Sequence, residues 1–252
     1  MKEINSTSPR QLTNAIEESL KTVLNCATVH PDDEIETVKW LYLHRLFTDY
    51  QAFILLSGNG MLRQCQILMR CMLEIVFEMV AWQRNPDLQS AMVNGEDSDR
   101  HHVLDNLLTL QKTKATLTKQ ELIMLQALVN SPDEMDRKSL PTVIKAEFAD
   151  LLQLYRTDYQ LLSETVHSEA HDIKADMIKD INNESLIEIH TLASDQTEMD
   201  ELLLQTADYV LTAHESFTKL SGSNINSDEF DKLQHQLQTC WHRQVSPVPH
   251  KK

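Results

Sequence analysis

The sequence predicts an all-α fold: a multi-helix bundle of about seven to nine helices around a central antiparallel hairpin. Three observations predict it. Only four glycines occur in 252 residues, whereas sandwiches and barrels need turn glycines at short intervals. Apolar residues recur at helical rather than alternating spacing along most of the chain. Proline, Ser/Thr/Asp and Ser-Gly signals divide these runs at plausible helix ends. Hydrophobic residues make up 41% and charged residues 24%, a globular composition. A chain of this length can bury roughly 70–75% of its unfolded surface. A single helical domain is therefore expected over residues 1–245, with a Pro-containing disordered tail at 246–252.

The elements follow in order. Ser8-Pro9 starts the first helix, with a capping hydroxyl and proline at the first helical position. Leu12, Ile16, Leu20 and Val23 then carry its stripe to about Val29. Asp32, Asp33 and Glu34 after Pro31 open a second helix, which Ser57-Gly58-Asn59-Gly60 ends. A third runs from Met61 to Arg84, before Asn85-Pro86. Joined by so tight a turn, these two apolar helices should form the central hairpin. A fourth segment follows Pro86, is interrupted near Asn94-Gly95-Glu96, and resumes from Asp99 to about Lys114. Thr118 and Glu121 form a capping box for a fifth, to Val129. Asn130 to Leu140 reads as a polar loop, and Pro141 starts a helical stretch with a kink, reaching about His171. Residues 172–201 are acidic and ambiguous, with Leu186-Ile187-Glu188-Ile189 either a short strand or a turn of helix. Helices from Met199 to Leu220 and from Ser227 to about Arg243 complete the chain.

Composition excludes several functions. The net charge of −15, from 38 acidic and 23 basic residues, repels nucleic-acid phosphates at long range, so RNA is a disfavoured partner. There is no Gly-x-Gly-x-x-Gly and no Gly-x-x-x-x-Gly-Lys-Ser/Thr, which removes the phosphate-cradling loops. Cys26, Cys65, Cys71 and Cys240 show neither Cys-x-x-Cys pairing nor framework spacing and read as reduced, mostly buried thiols. The first residues lack the apolar run of a signal peptide. The most apolar stretch, Ile67 to Trp82, is broken by Arg70, Glu74 and Glu78 and is too short and charged to span a bilayer. A cytoplasmic protein without membrane contact is expected.

Two polar lines stand out on apolar helices. Arg70, Glu74 and Glu78 lie four residues apart on one face of the third helix, which is otherwise hydrophobic all round. Buried charges of this kind need partners or a cleft. The bland reading is a structural ion-pair network that locks helix register; the sharper one is a pocket in which Arg70 binds an anionic group and Glu74 holds it in place. Tyr155, Tyr159, Ser163, His167 and His171 march at the same step along a later helix. Such a line opposite the first would build a site between helices, unless the rings only cap the core with their polar tips outward.

Neither metal nor covalent chemistry gains support. His167-Ser168-Glu169-Ala170-His171 displaces the glutamate of His-Glu-x-x-His by one position, about 100° around the helix. Two histidines are also only half a tetrahedral set, so no metal and no cofactor are expected. Ser163 and His167 share a face, yet no glycine-rich nucleophile elbow or oxyanion hole accompanies them.

Arg45 on the second helix, Arg70-x-x-x-Glu74 on the third, and the Tyr-x-x-x-Tyr-x-x-Leu-Ser-x-x-x-His run over 155–167 together resemble a widespread bacterial family of uncharacterised all-helical proteins. That family is similar to the HEPN-like proteins of phage-defence and toxin–antitoxin loci. The resemblance covers roughly residues 35 to 220 and matches at Arg45, Arg70, Glu74, Tyr159, Ser163 and His167. It implies a homodimer and a defence or toxin-like setting, with a protein partner from a neighbouring gene. HEPN ribonucleases carry Arg followed by four to six residues and then His; here ten residues separate Arg156 from His167, and Arg243 to His250, which has that spacing, crosses two prolines that a helix does not accommodate. The expected function is therefore a helical binding or partner module with a polar pocket. Arg70, Glu74, Ser163 and His167 are its candidate catalytic residues, and Arg45, Tyr155, Tyr159 and His171 its candidate binding residues. The alternative is a metal-independent endoribonuclease, with His167 as general acid or base and Arg70 stabilising the phosphorane charge.

Overall fold

The computed structural model describes residues 7–26, 33–89, 97–130, 140–167, 177–179, 187–189, 196–222 and 227–245. They form α1 (Pro9–Asn25), α2 (Glu34–Gly58), α3 (Leu62–Arg84), α4 (Asp97–Lys114), α5 (Lys119–Asn130) and α6 (Thr142–Phe148). Then come α7 (residues 152–167), the strands β1 (Met177–Lys179) and β2 (Ile187–Ile189), α8 (Gln196–Ser221) and α9 (Ser227–Val245). A separate turn of helix spans 86–89. The architecture is an all-α bundle carrying one minimal hairpin, in which Met177 pairs antiparallel with Ile189. The stretch around Ile187 thus resolves as strand. The tail at 246–252 and the interruption at 94–96 lie outside the described residues.

Local chemistry accounts for the helix ends. Ser8 and Gln11 form a reciprocal capping box at α1, with Pro9 at the first helical position. Asp33 caps α2 by accepting from the Glu36 N–H at 2.8 Å. Between α2 and α3 the chain turns through Gly60, whose φ of +69° a Cβ-bearing residue adopts only at a cost. At that turn the Cys65 thiol reaches the Phe53 carbonyl at 3.8 Å. At the far end the Tyr42 and Trp82 rings meet edge to face at 4.9 Å. Contacts at both ends make α2 and α3 an antiparallel pair.

α3 is the hub. Met69, Met72, Leu73, Val76 and Phe77 are all but inaccessible to solvent, and α2, α6, α7 and α8 pack around them. Glu78 is enclosed too, and Lys145 of α6 forms an ion pair with it. α1 lies across α2, α8 and α9. Lys39 bonds both Glu36 at 3.0 Å and the Leu220 carbonyl at 3.1 Å, placing a cation at the negative end of α8.

One expectation needs correction. The helix begun at Pro141 is not one kinked rod. It stops at Phe148, passes through Asp150 at φ +57°, and restarts at Leu152. Aspartate tolerates this left-handed conformation, and a Leu151 N–H bond to the Ala146 carbonyl at 2.8 Å satisfies the end of α6. No glycine or proline marks the break. α8 is spent on the core: Leu203, Leu204, Val210, Leu211 and Phe217 are buried within this chain against α1, α2, α3 and α9.

Candidate functional site

The two polar lines meet. The Arg70 Nε–H donates to the Ser163 hydroxyl at 2.9 Å, and Nη2 donates to the Tyr159 hydroxyl at 2.8 Å. Nη2 also lies 3.1 Å from a Glu74 oxygen, and Tyr159 donates its own proton to that oxygen at 2.8 Å. The guanidinium stands 5.0 Å from the Tyr159 ring centroid, within cation–π range. Arginine, carboxylate and two hydroxyls thus form one charge-balanced network joining α3 to α7. It is only partly buried, the Arg70 and Glu74 side chains retaining 22% and 34% exposure. Its edge is open to solvent.

An unusual segment places α7's contribution. Residues Tyr155–Tyr159 form a π-helical turn between the α-helical pieces Leu152–Leu154 and Gln160–His167. Such turns are rare and occur often at functional sites. Neighbours hold this one from three sides. Arg156 bonds the Thr116 carbonyl at 2.9 Å and Glu121 at 3.1 Å, in and just after the α4–α5 link. Asp158 accepts the hydroxyl proton of Tyr209 on α8. Tyr159 is engaged by Arg70 and Glu74. Tyr155 stacks on Tyr159 with centroids 5.1 Å apart, and Phe77 closes on Tyr159 at 5.9 Å. Sequence spacing does not announce a π turn, because its cause is these tertiary anchors.

Electrostatics define what the groups can do. Burial pushes the Tyr159 phenol above its ordinary value, with Glu74 adding to the rise against Thr142 and Arg70. Tyr155 is raised by burial and by Glu121. Both phenols stay protonated at neutral pH and serve as donors, not bases. Ser163 accepts from a cation, the reverse of the deprotonating contact that makes a serine nucleophilic. Cys71, next to Arg70, is raised by burial and by Glu74 and Asp49, against Arg70 and Arg45, so its thiol is not activated.

The remaining candidates fall elsewhere. Arg45 is 60% exposed and lies 3.9 Å from Asp49, within electrostatic reach of Cys71 but outside the hydrogen-bonded network. His167 ends α7 one turn beyond Ser163, its side chain lying outside the described residues, as does all of His171. Glu78 leaves the line for Lys145. Thr142, Asp49, Asp158 and Tyr209 are participants the spacing did not reveal. Asp49 alone had a local signal, four residues from Arg45. Among the described residues no group of three or more His, Cys, Asp or Glu side chains could hold a metal ion, and no helix is long and apolar enough to cross a membrane.

Fold and site define an all-α bundle with an arginine-centred polar cluster at a pair of packed helices. By sequence the chain belongs to a family of unknown function, DUF5677, whose model matches residues 40–185. That span is narrower at both ends than the resemblance read from the motifs, yet it contains all eight candidate residues. No curated protein and no solved structure matches the chain.

Proposed function

We propose that the protein is a helical binding or partner module, working in a bacterial defence or toxin–antitoxin-like setting with a protein encoded nearby. The observation that supports this most is the occupancy of Arg70. Its Nε and Nη2 are engaged by Ser163, Tyr159 and Glu74, so the guanidinium is fixed and charge-compensated, suited to positioning an edge rather than to receiving a developing phosphorane charge. The acidic surface and the departure from the Arg–His spacing of HEPN ribonucleases point the same way. The setting, a cytoplasmic location and a two-fold homodimer rest on the resemblance to HEPN-like proteins.

Metal-independent RNA cleavage is the second reading. It is favoured by the Ser163 hydroxyl held against Arg70 with His167 one helical turn on. Growth on induced expression, thermal melts and incubation of purified protein with total RNA and tRNA, with and without chelator, separate the two. The module reading expects no cleavage by wild type. Toxicity and chelator-resistant cleavage, lost in both Arg70→Ala and His167→Ala at unchanged melting temperature, overturn it.

A further inference from the structure

The α4–α5 hairpin carries three lysines whose surroundings differ from those of most other lysines among the described residues. Five other lysines among the described residues pair with a glutamate: Lys21 with Glu18, Lys39 with Glu36, Lys145 with Glu78, Lys219 with Glu215 and Lys232 with Glu229. Lys112, Lys114 and Lys119 are exposed and make no ion pair among those residues. All three flank the four-residue link between α4 and α5. The helix dipole accounts for Lys112 and Lys114, in the last turn of α4. It does not account for Lys119, which is the first residue of α5, where a cation is unfavourable. The same hairpin exposes Leu110 at 43%, Ile123 at 56% and Met124 at 42%.

This tip is also held in place. Gln111 and Thr116 each donate to Glu147 of α6 at 2.6 Å. Gln111 in turn accepts from the Thr116 and Leu117 N–H groups at 3.2 and 3.1 Å. Arg156 of α7 clamps the link from the other side. A fixed surface loses less conformational freedom on binding than a mobile loop.

We infer that the α4–α5 turn, where Lys114 and Lys119 share helix faces with Leu110 and Ile123 and Lys112 and Met124 are exposed near by in sequence, is a docking surface for an acidic amphipathic helix of a partner protein. Charge selects the occupant. Three uncompensated cations on a chain of net charge −15 complement an acidic segment, while two copies of so acidic a chain repel each other at long range. Aliphatic side chains suit the apolar stripe of a helix. Nucleic acid is disfavoured because residues 97–130 contain no Phe, Tyr or Trp on which bases could stack. An anionic bilayer is disfavoured by the net charge. The inference concerns a different surface from the Arg70 cluster and does not depend on it.

The test is fluorescence anisotropy of the full chain with a labelled peptide bearing leucine at each a and d position and glutamate on the opposite face. Saturable binding that weakens as salt rises is expected. The triple variant Lys112→Glu, Lys114→Glu, Lys119→Glu should weaken it about tenfold or more, since three attractive charge pairs at the rim are replaced by repulsion. Ile123→Ser with Met124→Ser should weaken it comparably, both variants retaining the wild-type circular dichroism spectrum. If the charge-reversed protein fails to fold, the Lys→Gln triple supplies the same readout with a smaller loss. No binding, equal binding of a peptide with scrambled leucines, unchanged affinity in the variants, or tighter binding of single-stranded RNA or phosphatidylglycerol vesicles overturns the inference.

Discussion

Arg70 is the residue on which the candidate site turns. Its bonds to Tyr159 and Ser163 cross between two helices in a partly solvated setting, so Arg70→Ala should lower stability by about 1–3 kcal/mol. The larger cost of orphaning a fully buried charge does not apply here, because Glu74 keeps access to water. Tyr159→Phe keeps the ring stack and removes only the hydroxyl. A cycle with Arg70→Ala in urea melts should return a coupling of about 0.5–3 kcal/mol. Strict additivity would mean that the two side chains act independently. His214 offers a second test at this scale. It is buried at 3% exposure between α8 and α9, stacked on Phe230, and burial lowers its pKa to about 4 from 6.5. Below pH 6.5 the unfolded chain takes up a proton that the folded chain refuses until about pH 4. Its contribution is thus complete above pH 6.5 and is lost as pH falls toward 4. The loss is of order 3 kcal/mol. His214→Phe should flatten the melting temperature across that window, and an unchanged slope would count against the assignment.

At the scale of elements, the capping box of α5 was legible and the π turn of α7 was not. Thr118 and Glu121 exchange side-chain bonds with each other's N–H groups at 3.3 and 2.7 Å. Such a box needs only residues three apart at a helix start. Thr118→Ala should cost about 1 kcal/mol in thermal or chemical melts. The π turn exists because Arg156, Asp158 and Tyr159 are each held by a different neighbour, a constraint invisible to local spacing. Deleting Thr157, an exposed residue inside the turn, would let α7 run as a regular α-helix. The wider turn takes up one extra residue, so the deletion leaves Ser163 near its register and brings Tyr155 and Tyr159 from four residues apart to three. Their stack, and the joint hold of Arg156, Asp158 and Tyr159 on three neighbours, should then be lost. A drop in melting temperature of at least ~2–4 °C is expected, whereas a neutral deletion would show that the turn has no positioning role.

At the scale of the molecule, a far-ultraviolet circular dichroism spectrum dominated by helix is expected, and one dominated by strand would contradict the fold. The proposed homodimer predicts a light-scattering mass of twice the 29.0 kDa chain. Charge repulsion between acidic copies makes the measurement informative at low and high salt alike, since added salt screens that repulsion.

The helices, their starts and the central hairpin were determined by the sequence itself. Capping, apolar periodicity and turn residues act over three to seven positions, and in this chain they agree with one another. That Arg70 and Glu74 would need polar partners was legible as well, since charge on a helix hydrophobic all round cannot be buried alone. Only the tertiary structure decided which partners they have. Tyr159 and Ser163 arrive from about ninety residues away on a helix broken at Asp150 and widened at Tyr155–Tyr159. Glu78 was diverted to Lys145, and Arg45 was left at the rim. Those outcomes depend on helix azimuths set by long-range anchors, and no local pattern encodes them.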